Sequence, residues 1–324
     1  MSSQRVIHLG KFRIPRVALI IALALIVLGW AAAPGVRGVK LIAIWPVRIA
    51  PNAAAAGLPV RDVRFPATDG VHLAGWLALR SPDAPTIILV HGFKGVRQNM
   101  LPWARYLYTA GYNVLLYDSR GCGQSDGWHI DLGAHEANDL IGAARYLAGL
   151  SDLKTKRFGA LGVSLGAGTV LLAAAREPSL AAVVADSAWA DEQPQLDRMG
   201  SIPVGPLAVP VLPYEPALVN ALIGADLSAA RPITVVGSIA PRAVMFIHSA
   251  DDTNTTTPLS GEQALYAAAG SPKAEWIAPS GGHGGALNAH PDEYQRRTLD
   301  FFRAYLVSPV GRGQNLGLFS SQAV

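Results

Sequence analysis

The chain has 324 residues, of which 50% are hydrophobic and only 15% charged, with a net charge of +4. That length suffices for one large α/β domain with an appendage. The single cysteine, Cys122, excludes an internal disulfide framework and a multi-cysteine metal site.

The net charge is unevenly placed. Residues 1–61 hold eight of the 27 Lys/Arg and none of the 23 Asp/Glu, so the rest of the chain is net acidic. This argues against a nucleic-acid-binding catalytic domain and for a membrane-directed N-terminus. Residues 1–16 read as a basic tail. Residues 17–33 (VALIIALALIVLGWAAA) carry no charge and lie at the short end of the ~17–25 residues that cross a bilayer. They predict a transmembrane helix, with Trp30 near the far interface, the N-terminus cytoplasmic and the catalytic domain outside. A cleaved signal peptide competes, with Ala31-Ala32-Ala33 as the small-residue site. Pro34 follows directly, however, and the run exceeds the usual ~7–15 apolar residues. A buried N-terminal helix should instead show polar positions on one face.

Residues 34–59 read as a juxtamembrane segment and linker. Residues 41–47 (LIAIWPV) are too short to span, and two readings stand: the patch lies on the membrane surface with Trp45 at headgroup depth, or it packs on the domain. Residues 51–59 (PNAAAAGLP) read as the linker proper.

The folded domain is expected over residues 60–307, followed by a tail over 308–324. Residues 60–65 and 71–79 alternate around Thr68-Asp69-Gly70 and predict an antiparallel hairpin. Residues 86–90 (TIILV), 113–117 (NVLLY), 158–163, 181–185 (AAVVA), 242–247 (RAVMFI) and 274–278 (AEWIA) predict strands, mostly buried on both faces. Residues 103–110, 136–147, 261–269 and 292–306 predict helices. Strands alternating with helices imply a mostly parallel, doubly wound sheet. The rhythm breaks over about 190–240, a stretch rich in proline and apolar residues and too long for an ordinary loop. It is expected to be an insertion over the C-terminal strand ends, where ligands bind in such sheets. It reads as a lid or as a packing excursion without a role in substrate choice.

Gly162-Val163-Ser164-Leu165-Gly166 reads G-x-S-x-G between a predicted strand and a small-residue helix. That context places a serine on a strained turn with its hydroxyl exposed. Asp252 and His283 follow in the order Ser, Asp, His, which makes the three a candidate catalytic triad. Ser164 is the candidate nucleophile and needs a base to take its proton. His283, flanked by glycines just after the last strand, is the candidate base. Asp252 is the candidate orienter of that histidine, with the adjacent Asp251 and then Asp186 as alternatives. The backbone N–H of Leu165 would supply one oxyanion donor.

In order along the chain, HGFKG (91–95), DSRGCGQSDG (118–127), GVSLG (162–166), IHSADD (247–252) and GGHGG (281–285) give a sequence that resembles the α/β-hydrolase superfamily from about residue 60 to 307. It is most similar to single-pass, membrane-anchored serine hydrolases of the abhydrolase-domain type. The loop after Ile247, HSADDTNTTTP, departs from the family pattern of a glycine after the histidine. The resemblance implies an α/β-hydrolase sheet with a lid insertion and an N-terminal transmembrane helix. It implies Phe93 N–H as the second oxyanion donor, and the H-x-x-x-D spacing from His248 selects Asp252. His91 is expected to be structural. Asp118, Arg120 and Ser125 are expected to brace a loop, with Arg120 as a substrate contact the lesser alternative. A thiol nucleophile at Cys122 is not expected. No cofactor or metal is expected, since no H-E-x-x-H, C-x-x-C or phosphate-binding glycine loop appears.

The expected activity is cleavage of an ester or thioester, on a small-molecule or lipid acyl substrate. A peptidase or amidase of the same fold is the nearest alternative. A silent, membrane-tethered binding module comes from another class.

Overall fold

A computed structural model describes residues 6–9, 12–44, 57–191, 196 and 199–307. Trp45, Pro194, most of the expected linker and the tail over 308–324 lie outside the described residues. The chain divides into two compact units. One draws on Met1–Ile42 and Gln195–Gly224, the other on Ala43–Pro194 and Ala225–Val324.

The first unit opens with an antiparallel pair, β1 (Val6–Leu9) and β2 (Phe12–Pro15), within the stretch expected to be a plain tail. Helix α1 (Arg16–Ile42) follows and is long and apolar enough to cross a membrane. It runs nine residues past the end expected at residue 33 and straight through Pro34. A proline inside a helix removes one rung of the hydrogen-bond ladder. The rung lost at Pro34 is the one to the Trp30 carbonyl; the next rung is bridged by Tyr214, whose hydroxyl accepts from Gly35 N–H (3.0 Å) and donates to the Ala31 carbonyl (2.6 Å). A side chain therefore stands inside the ladder, one of the few arrangements that lets a helix tolerate such an interruption.

Tyr214 belongs to the insertion, which forms a hairpin of β9 (Ser201–Val204) and β10 (Leu207–Pro210), then helix α5 (Glu215–Ile223). Three further contacts fasten it to α1. Trp30 Nε1 donates to the Pro210 carbonyl at 3.0 Å. Arg37 donates through Nε to Glu215 (2.8 and 3.0 Å) and through its terminal nitrogens to the Ser201 and Met199 carbonyls, both at 2.6 Å. Gly38 lets α5 come close, since a Cβ there would stand 3.0 Å from Val219 and 3.2 Å from Glu215 side-chain carbons. The insertion is thus a partner of the N-terminal helix, with its unit ending at Gly224 rather than near residue 240.

The second unit is built on an eight-stranded sheet. Its strands are β3 (Val60–Pro66), β4 (His72–Ala78), β5 (Thr86–Val90), β6 (Asn113–Tyr117), β7 (Phe158–Val163), β8 (Leu180–Asp186), β11 (Ala243–Ser249) and β12 (Lys273–Ala278). The spatial order is β12-β11-β8-β7-β5-β6-β4-β3. The first hairpin pairs antiparallel, and β4 pairs antiparallel with β6; all other neighbours are parallel. Alternate residues of the buried strands feed two separate cores. Ile88, Val90, Leu115 and Tyr117 join α3 (Glu136–Gly149) and α4 (Leu165–Ala174), whereas Ile87, Leu89, Val114 and Leu116 join α2 (Leu101–Thr109). This is the two-faced burial that continuous apolar strands require. Two more helices complete the layers, α6 (Leu259–Ala268) and α7 (Pro291–Phe302). Ala43 and Ile44, from the short apolar patch, hydrogen-bond along residues 128–129 of this unit.

Glu262 on α6 is fully buried, and among the described residues no protein group hydrogen-bonds either carboxylate oxygen. Burial, aided by the Glu275 charge, pushes its pKa up to about 8. The folded protein therefore holds a proton that the unfolded chain releases above about pH 4.5. The destabilisation grows as pH rises from about 4.5 through 8 and is complete above. Glu262→Met is expected to flatten this slope and to stabilise the protein by roughly 2–4 kcal/mol at pH 8. Urea unfolding at pH 5 and pH 8 measures it; equal gains at the two pH values would exclude titration of Glu262 as the source.

Candidate active site

The segments that follow β5, β6, β7, β8, β11 and β12 meet at the C-terminal ends of these strands. The β7–α4 turn is the sharpest. Ser164 takes φ 58° and ψ −119°, a conformation that a non-glycine residue holds only when its surroundings enforce it. The enforcement comes from close backbone packing. A Cβ on Gly162 would stand 2.1 Å from the Gly166 carbonyl oxygen, and one on Gly166 would stand 2.4 Å from that of Val90. Only glycine fits at either position, which is the physical content of the motif. The amide of Ser164 donates to the Asp186 carbonyl at 2.9 Å and pins the turn to β8.

The structure brings the three predicted side chains into one line. His283 Nε2 lies 2.8 Å from Ser164 Oγ, and its Nδ1 lies 2.9 Å from Asp252 Oδ2. The network assigns the tautomer: Nδ1–H donates to the carboxylate, leaving Nε2 to accept from the serine hydroxyl. The Asp252 side chain is buried, and its Oδ1 accepts the Asn254 amide at 2.8 Å. Asp251 faces elsewhere and accepts the Gly282 amide at 2.8 Å. That bond draws its pKa below the usual carboxylate range.

The loop carrying His283 is held on both shoulders. Gly282 is tied to Asp251, and Gly284 N–H donates to Ser187 Oγ at 3.0 Å. Ser187 Oγ in turn donates to Asp186, which also accepts from Tyr294 OH at 2.9 Å. Asp186 therefore sits behind the loop rather than against the imidazole. Burial raises its pKa to about 6, against the two hydroxyls that favour the anion.

On the opposite side, the Gly92 backbone lies against the serine, with a Cβ there reaching 3.8 Å from Ser164 Oγ. The next amide is that of Phe93. Leu165 is the first residue of α4, where amides have no partner within the helix. His91 braces this loop: its Nε2 accepts the Ser119 amide at 3.0 Å, and its Nδ1 donates to the Gly92 carbonyl at 2.9 Å. Burial lowers its pKa and keeps it in that neutral form.

Asp118 accepts the amides of Arg97 (2.7 Å) and Gln124 (2.9 Å), and Ser125 Oγ donates to its carbonyl. Arg120 is buried among Asp139, Asp131 and Asp69, with its guanidinium donating to all three. It braces the loop and presents no free face to a substrate. Cys122 is buried, and burial pushes its thiol up to about 12, which removes thiolate chemistry.

Two contacts were not foreseen from the sequence. His248 Nε2 lies 3.2 Å from Asp252 Oδ2, and Thr257 Oγ1 lies 3.1 Å from His283 Nδ1. The signal for His248 is its place four residues before Asp252 on a buried strand end; Thr257 carries no comparable signal. Burial lowers the His248 pKa and favours its neutral form. Among the described residues, no three His, Cys, Asp or Glu side chains cluster so as to hold a metal ion.

A sequence model of the alpha/beta hydrolase fold matches residues 85–201. Over 242 residues the chain is 30% identical to the uncharacterized protein YqkD of Bacillus subtilis, covering 73% of this chain and 77% of that one. It is 34% identical over 134 residues to the polyketide transferase GrgF of a Penicillium species, covering 40% of this chain and 46% of GrgF. Among solved structures, the Pyrococcus furiosus esterase Pf2001 superposes with a TM-score of 0.65 at 22% identity, covering 82% of this chain and 98% of the esterase. With the sheet order, the serine turn and these relatives taken together, the chain belongs to the α/β-hydrolase superfamily.

Proposed function

We propose that this chain is a membrane-anchored serine hydrolase that cleaves a carboxylic ester or thioester of a lipophilic acyl substrate. The observation that carries the reading is the unbroken line from Ser164 Oγ through the His283 imidazole to the buried Asp252 carboxylate. Ser164 attacks the acyl carbonyl while His283 Nε2 takes the hydroxyl proton. The amides of Phe93 and Leu165 hold the oxyanion, where one such donor is worth ~3 kcal/mol. The carbonyl re-forms, the alcohol or thiol leaves with the proton from Nε2, and Ser164 retains the acyl group. Water, deprotonated by the same nitrogen, then releases the acid. Asp252 keeps the imidazole in the tautomer that each step needs.

Helix α1 is assigned as the single membrane span, with the N-terminus cytoplasmic. Its length, its exposed leucines and isoleucines and the basic residues before it support this. By its place in the chain, the insertion is assigned the role of a lid. A fluorophosphonate probe tests the chemistry: one covalent adduct is expected, mapped by peptide mass spectrometry to Ser164. Absence of any adduct on the folded protein would reject the serine mechanism. Hydrolysis of p-nitrophenyl esters from acetate to palmitate then sizes the acyl pocket, with rising turnover toward long chains expected.

A further inference from the structure

We propose that the insertion docks on the lipid bilayer, with the β9–β10 hairpin seated in the outer interface beside the helix that spans it. This rests on the anchored-hydrolase reading. From Ser201 to Tyr214 the sequence SIPVGPLAVPVLPY contains no charged residue. Leu207, the first residue after its turn, is 66% exposed, and Leu212 beyond the hairpin is also exposed. A water-facing hairpin tip of this composition is unfavourable unless an apolar phase receives it.

The position of that phase can be read along α1. At 1.5 Å per residue, Trp30 lies about 5 Å before the end of the apolar run, and Arg37 lies about 6 Å beyond it. The insertion is fastened in matching order. Its hairpin base, where Ser201 pairs with Pro210, bonds Trp30 through Pro210 and Arg37 through Ser201, and the first charge after the hairpin, Glu215, pairs with Arg37. An apolar hairpin thus meets the apolar end of the helix, and one ion pair joins the two just beyond it, at the depths where a bilayer has its acyl edge and its headgroups. An indole at that boundary satisfies its N–H on the hairpin while its ring stays in the apolar layer. A two-stranded hairpin has unpaired edges, which restricts it to the interface and keeps it out of the hydrocarbon centre.

The test uses full-length protein in vesicles of phosphatidylcholine and phosphatidylglycerol. Leu207→Cys and, separately, Ile26→Cys are labelled with an environment-sensitive NBD maleimide. Cys122, buried with its thiol pushed up to about 12, is not expected to compete, and unsubstituted protein checks this. Docking predicts a blue-shifted Leu207 label that loses emission to spin-labelled lipid and resists aqueous iodide. If the Ile26 label is quenched by lipid while the Leu207 label stays water-like, docking is overturned and the anchor stands. If neither is quenched, the anchor and the docking both fail. A Leu207 label shielded from iodide yet untouched by spin-labelled lipid would mark a protein partner and also overturn docking.

Discussion

Ser164→Ala is expected to lower kcat on p-nitrophenyl esters by about 10⁴–10⁶-fold, leaving only what bound substrate and oxyanion donors can do alone. The loss should fall on kcat, because the hydroxyl makes a bond only as the acyl group transfers. The fold should not suffer. Alanine at φ 58° meets the same strain that serine already bears, and the turn is fixed by Gly162, Gly166 and the Asp186 carbonyl. An unchanged melting temperature beside vanished turnover is therefore the expected pair of results. Turnover within tenfold of wild type would mean that another group is the nucleophile.

Asp252→Asn is expected to cost about 10⁴-fold in kcat, since an amide facing Nδ1 favours the wrong imidazole tautomer. The neighbouring substitution is the informative control. Asp251 accepts the Gly282 amide, and an asparagine oxygen can accept the same bond, so Asp251→Asn puts at stake only ~1 kcal/mol, or roughly fivefold. Assays of the two variants side by side separate orienting the histidine from holding its loop. Equal losses would show that the loop, rather than the carboxylate, sets the rate.

Much of the sheet could be read from the sequence because its strands are short apolar runs bounded by turns, as at 86–90 and 113–117. Each such run reports its own burial. The serine turn was legible for a related reason: Gly162 and Gly166 are required by backbone contacts within a few residues of themselves. Choosing Asp252 over Asp251 rested on the family's spacing from His248, which the resemblance implies, and the structure points Asp252 at His283 and Asp251 at Gly282. What escaped was non-local. Pro34 is a strong local stop signal, and nothing near it in sequence announces that a tyrosine far down the chain will mend the helix. The partner of the proline-rich insertion was illegible for the same reason. Ser187, Thr257 and Tyr294 are common polar residues whose roles arise only when β8, the loop before α6 and helix α7 converge around one histidine.

The tyrosine in the helix ladder bears on how freely these pieces can be exchanged. Tyr214 lies 179 and 183 residues from the two groups that it joins. An N-terminal helix is often treated as an interchangeable module, to be swapped between proteins or replaced by a tag. Here a foreign helix would offer Tyr214 no interrupted rung and Glu215 no Arg37, leaving a buried carboxylate without its guanidinium. Pro34 and Tyr214 are in this sense one trait written in two places. Descent with modification should gain or lose them together, and an engineered chimera that moves one without the other inherits a broken part.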